Sequence, residues 1–174
     1  MKRQVNPRIS AQIVNFSLPR YEQIPNVGLY LEQATKYVCE YLAPLGEYTL
    51  TPSMISNYVK KGIVPKPVKK QYFAEHVAYL FFVAMAKNLV SIENIGLLIE
   101  MQRNTYTLPV AFDYMGDCLK NTLDYIFGLK STLEPLGETE SDEKNILSSL
   151  IFSTANVIHM HACFSQIRAE QEEI

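Results

Sequence analysis

The sequence predicts an all-α protein, and three observations carry that prediction. Apolar residues recur at helical spacing in six separate stretches. Most of those stretches are bounded by helix start or stop signals. No run alternates apolar and polar residues as a half-buried strand would, apart from one segment short enough only for a tiny hairpin.

Taken in order, residues 1–25 contain Pro7, Pro19 and Pro25 with little periodicity, which reads as an arm and an extended lead-in. Between Asn26 and Leu45, apolar residues at 31, 34, 38, 41, 42 and 45 predict a helix that ends at Pro44–Gly46. Thr51-Pro52 is a strong start for the next helix, because the hydroxyl caps a free amide and proline fits the first turn. That helix, 52–61, stops at Gly62, and Pro65 and Pro67 keep it from resuming. Residues 66–73 are short, basic and turn-rich. A core helix follows over about 74–87, apolar on most faces. Ser91 then caps a helix with Ile92, Ile95, Leu98 and Ile99 on one side. Beyond Arg103, helices are expected over 109–129, with a stripe at 111, 115, 118, 119, 122 and 126, and over 146–168. An acidic loop, 135–143, separates them.

Composition narrows the class. With 48% hydrophobic and 20% charged residues among 174, the chain is ordinary for a soluble globular protein, with no disorder signature. The longest uninterrupted apolar run, Val77 to Ala86, is too short to cross a bilayer, so no membrane association is expected. The basic start (Lys2, Arg3, Arg8) has no apolar stretch behind it, so no secretory signal is expected. Cys39, Cys118 and Cys163 are odd in number and widely scattered, which suits reduced thiols in a cytoplasm.

Charge is unevenly distributed. Residues 1–103 hold 12 Lys+Arg against 7 Asp+Glu, a net +5, whereas 104–174 hold 4 against 11, a net −7. From Tyr48 to Ala74 there are five lysines (60, 61, 66, 69, 70) and no acid. On an acidic protein such a patch marks a docking place for a polyanion, although a lysine run by itself is equally a solvated face. The order helix, tight turn, short capped helix, basic loop, core helix is what a winged helix-turn-helix requires. In the short helix Ile55 and Val59 share one face with Tyr58 at its edge, opposite Ser53, Ser56, Asn57 and Lys60. Small hydrogen-bonding residues and a cation suit base edges and phosphates, and equally suit plain solvent exposure.

The run from Leu50 to Pro65, LTPSMISNYVKKGIVP, resembles the recognition segment of the MerR family. Lys70-Gln71-Tyr72-Phe73-Ala74-Glu75-His76-Val77 resembles the end of that family's wing and the start of its next helix. Leu89-Val90-Ser91-Ile92-Glu93-Asn94-Ile95 is similar to its next capped helix start. The stretch from Leu18 to Glu100 also resembles a bacterial family of MerR-like domains of unknown function. The resemblance implies a dimeric transcription regulator that binds double-stranded DNA through Ser53, Ser56, Asn57, Tyr58, Lys60 and Lys61 of the helix and Lys66, Lys69, Lys70 and Tyr72 of the wing. There are departures. Ser56 and Asn57 stand where the family has an arginine and a first tyrosine, the wing lacks its glycine, and Phe73 takes the place of the usual helix cap. The alternative is a protein-protein interaction module on the same scaffold, without DNA binding.

The expected organisation is therefore an arm over 1–17, a MerR-like winged helix-turn-helix over 18–103 and a C-terminal helical region over 104–174. The last two helices suggest an antiparallel hairpin whose stripes pair with a second subunit or cap the monomer. His159 and Cys163, four apart, share a helix face and could reach a soft ion, with Cys118 the one other thiol to hand; a buried helix with cysteine as filler explains them more simply. No metal, no cofactor and no enzymatic activity is expected, since no phosphate loop, paired carboxylates or nucleophile motif is present.

Overall fold

The computed structural model describes residues 6–137 and 140–172, so Lys2 and Arg3 of the basic start lie outside the described residues. Among the described residues there are seven α-helices and no strand: α1 (Pro7–Val14), α2 (Leu31–Leu42), α3 (Pro52–Lys60), α4 (Ala74–Ala86), α5 (Ile92–Thr105), α6 (Leu108–Ile126) and α7 (Asp142–Glu172). The chain is all-α. It divides into two compact units, one of Pro19–Ala43 with Glu47–Tyr114 and one of Met1–Leu18, Pro44–Gly46 and Met115–Ile174.

In the first unit α4 is the centre, with every residue but Glu75 and Phe82 buried. α2 packs against both α3 and α4. Aromatic rings knit the interior: Phe81 meets Tyr37, Tyr41 and Phe112, and Phe112 meets Tyr21, with centroids 5.8–6.2 Å apart. The edge-on and tilted angles are those that aromatic quadrupoles favour. α2 begins at Leu31, the first residue of its apolar pattern, and the residues just before it lie outside the helix because Leu29 is occupied elsewhere. Its N–H and C=O both pair with Tyr72 (2.8 and 2.7 Å).

In the second unit α1 packs on α7. The arm expected from Pro7 is a helix instead: Asn6 Oδ1 accepts from the Arg8 amide at 3.1 Å, and Pro7 occupies the first turn as a start signal. Its last carbonyls are met by a cation, for Lys120 Nζ donates to Ile13 O (3.3 Å) and Val14 O (3.1 Å) while holding Asp124 at 2.7 Å. Of the α6 stripe, Met115, Cys118, Leu119, Thr122 and Ile126 are buried and Ala111 is half-buried. α7 is longer than expected and buries Leu150, Ile151, Thr154, Ala155 and Ile158. By length and composition alone it is the one described helix that would span a membrane. No long uninterrupted apolar run marks it in the sequence, because Ser, Thr, Asn and His punctuate the helix.

Candidate nucleic-acid interface

α3 is built from both ends by local chemistry. At its start Thr51 Oγ1 accepts from the Met54 amide at 3.2 Å, and Pro52 fills the first helical position. At its end Gly62 adopts φ +73°, the left-handed conformation that a side chain resists. Ile63 N–H then reaches Tyr58 O and Gly62 N–H reaches Val59 O, both at 3.0 Å, which is a Schellman closure. Leading into the helix, the Leu50 amide donates to Cys39 Sγ and the Cys39 thiol donates to Leu50 O, each at 3.4 Å, so α2 holds the entrance to α3.

One face of α3 is thereby fixed inward. Ile55 and Tyr58 are buried, and Val59 is half-buried. Ser53, Ser56, Asn57 and Lys60 are exposed together, with Met54 beside them. After the Schellman turn, Ile63 lies against Gly96 of α5, where a Cβ would come within 2.9 Å of Ile63 Cδ1. The chain then forms a two-residue hairpin. Val68 and Gln71 exchange both backbone hydrogen bonds (3.0 and 2.9 Å) around Lys69 (φ 50°) and Lys70 (φ 65°). Positive φ at both central residues is the primed turn that suits a tight hairpin, and it is normally made by Asn-Gly. Two lysines here carry backbone strain of about 1–2 kcal/mol each. The pairing of Tyr72 with Leu29 adds a third extended segment, and the Gln71 side chain lies over Gly28, where a Cβ would collide with it.

His76 locks this hairpin to α4. Its Nδ1 accepts from the Phe73 amide at 3.0 Å, and Nε2, which must then carry the proton, donates to Lys66 O at 3.1 Å. The sequence suggested that α4 starts without a cap because Phe73 offers no oxygen. The structure supplies the missing partner from the other direction, at the third helical position, where a capping box has Glu or Gln. That spacing was the available signal.

Of the ten residues singled out in the sequence, Ser53, Ser56, Asn57, Lys60, Lys61, Lys66, Lys69 and Lys70 are exposed, on α3 or on the segment from its end to the hairpin tip. Tyr58 and Tyr72 are not: at 8% and 4% exposure their rings belong to the packing beneath, and burial raises both phenols above their ordinary range. Tyr58 is three residues on from Ile55, which turns it to the apolar side. Among the described residues, none of the five lysines forms an ion pair within 4 Å. Lys61 nevertheless has an acidic neighbour. The Glu93 carboxyl is held below its usual range by its own backbone amide and the Ser91 hydroxyl, with Lys61 adding to the effect. No group of three or more His, Cys, Asp or Glu able to hold a metal ion occurs among the described residues.

A capped helix with a small polar face, beside a strained lysine hairpin, is thus carried by an all-helical unit bounded by Pro19 and Tyr114. A family model matches that same span, residues 19–114, and the chain belongs to this family, described as a domain of unknown function (DUF1836). No curated protein matches the chain, and no solved structure does.

Proposed function

We propose that residues 19–114 are a MerR-like winged helix-turn-helix that binds double-stranded DNA, and that the chain is a homodimeric, cytoplasmic transcription regulator. The observation that carries this reading is the Lys69–Lys70 turn. Two non-glycine residues held at positive φ at the tip of a tight hairpin persist only where the surroundings enforce them, and such strain gathers at functional positions. In this reading the turn presents two ammonium groups at the apex of a wing, on the same acid-free segment as α3. In this reading Ser53, Ser56 and Asn57 face base edges in the major groove, while Lys60, Lys66, Lys69 and Lys70 neutralise phosphates. Tyr58 and Tyr72 support the helix and the wing from below. Fluorescence polarisation with random duplex DNA tests it. A dimer making roughly 6–10 phosphate contacts loses about 10³–10⁵ in affinity between 50 and 200 mM salt. Absent or salt-indifferent binding refutes the reading.

A second reading has a specific observation in its favour. Val27, Tyr30 and Val68 are 66%, 56% and 56% exposed, on or beside the extended segments that pair through Leu29–Tyr72 and Val68–Gln71. Apolar side chains at that level suit a protein partner docked on the wing. Charge-reversing Lys69 and Lys70 abolishes DNA binding under the first reading. Under the second it has little effect, and V27D/V68D is the disruptive change.

A further inference from the structure

The exposed face of α3 is polar except at one place. Ser53, Ser56, Asn57 and Lys60 are exposed, and so, at 39%, is Met54. Among the described residues of α3, Met54 is the one large hydrophobic side chain left outside. It stands one residue before Ile55, about 100° round the helix from that buried side chain, and does not join it in the core. A lone exposed methionine on an ordinary surface has no particular meaning. Its place gives this one a role. Met54 lies in the first turn of the helix, and Thr51 Oγ1 accepts from its amide at 3.2 Å, which fixes its backbone. The thioether beyond that fixed point is flexible and polarisable, which suits apolar contact of adjustable shape. Asn57, three residues on, is its neighbour on the helix surface, about 4.5 Å further along the axis at 1.5 Å per residue. That step is close to the spacing of successive nucleotides along a duplex, about 3.4 Å.

We propose that Met54 sets sequence specificity by packing against the C5-methyl of a thymine, in the base pair next to the adenine read by Asn57. The proposal rests on the DNA reading above and deepens it, from duplex binding to a base preference at one further position. In the major groove every base offers hydrogen-bond donors or acceptors, but there is one apolar group only, the thymine methyl. The first residues of a recognition helix are those that meet base edges. An apolar side chain at that place therefore has a single complement. Phosphates and the polar edges of guanine, cytosine and adenine give a thioether nothing that water does not. Ser53 and Ser56 hydrogen-bond to more than one base and impose no such choice.

The test removes that methyl and nothing else. The full-length chain selects a duplex from a random-sequence pool, and each thymine of the selected duplex is replaced in turn by deoxyuridine. The expected result is one thymine in each half-site, beside an adenine, whose replacement weakens binding about four-fold, the worth of one buried methyl. Replacement in both half-sites multiplies the two losses to about fifteen-fold. Met54→Ala keeps the Thr51 cap and the thermal transition of the parent, and it binds the thymine and deoxyuridine duplexes equally. Deoxyuridine tolerated at every thymine overturns the proposal, and so does a thymine preference that survives in Met54→Ala. Neither result touches the DNA reading, which stands or falls on salt-dependent binding to the unselected pool. If no duplex is bound at all, both fall together.

Discussion

His76 and Lys66 are ten residues apart, and the imidazole of the first holds the carbonyl of the second at 3.1 Å while its other nitrogen takes the Phe73 amide. A buried neutral histidine thus spans the loop that carries the lysine hairpin and pins both of its ends to α4. The basic segment is thereby an anchored structure rather than a free loop.

If that is so, His76→Phe keeps a ring of similar size but leaves the Lys66 carbonyl and Phe73 amide without their partner. Stability should fall by about 1–3 kcal/mol, the cost of an unsatisfied buried polar group. Hydrogen exchange at the Val68 and Gln71 amides should accelerate more than exchange in α5. Equal acceleration throughout would mean that His76 matters only to the core.

The strain at the hairpin tip makes a prediction of opposite signs. K69N/K70G replaces the two lysines by the residues that a primed turn prefers. It should stabilise the protein by about 1–3 kcal/mol, because each lysine now sits at a positive φ that costs about 1–2 kcal/mol. The same change should weaken DNA binding for every sequence alike and lower the salt slope by about four, since the dimer loses two contacts from each copy. Chemical denaturation and polarisation on one preparation check both. A variant no more stable than the parent removes the case for strain.

Most of the helical order was legible because capping chemistry is local. Thr51, Ser91 and Gly62 act where they stand in the chain, and each does in the structure what its residue type implies. Three features were not legible, because each depends on residues distant in sequence or on a signal with two meanings. Leu29 pairs with Tyr72, 43 residues on, a contact that no local spacing announces. Pro7 reads as a break in an arm, yet it opens α1 once Asn6 caps it. Tyr58 and Tyr72 read as contact residues by resemblance, and only packing shows them turned inward. The exposed face of α3 was fully legible, since helical spacing alone separates Ser53, Ser56, Asn57 and Lys60 from Ile55.

Buried and half-buried phenols in the first unit predict its alkaline behaviour. Tyr21, Tyr37, Tyr48, Tyr58 and Tyr72 all have pKa values raised above 10, chiefly by burial. A pKa raised on folding means that the unfolded chain releases protons first. The stabilisation is intact below about pH 10 and is lost as pH climbs through the folded values. Absorbance at 295 nm should show these tyrosines ionising later than the exposed Tyr30, and together with unfolding. Titration of all tyrosines near pH 10 with the fold retained would contradict their burial.

The last prediction separates sequence reading from charge. Asn57 is exposed on α3 opposite Ile55, and its amide can both donate to and accept from a base edge, most naturally adenine. Lys60, one turn further on, reaches a phosphate or a guanine edge. Asn57→Ala touches neither cap nor core, so stability should change by less than about 0.5 kcal/mol. Binding to the cognate site should nevertheless weaken by about 1–3 kcal/mol, while scrambled duplex is bound as before. Lys66→Ala should do the reverse, lowering both affinities and flattening the salt slope by about two units, one contact being lost from each copy of the dimer. Lys61→Ala should do less than Lys66→Ala, because Glu93 already offsets the Lys61 charge in the free protein. The three variants, each measured on cognate and scrambled duplex at several salt concentrations, give three distinct patterns. If Asn57→Ala lowers both affinities equally, or neither, the exposed face of α3 does not read bases and its orientation in the groove is wrong.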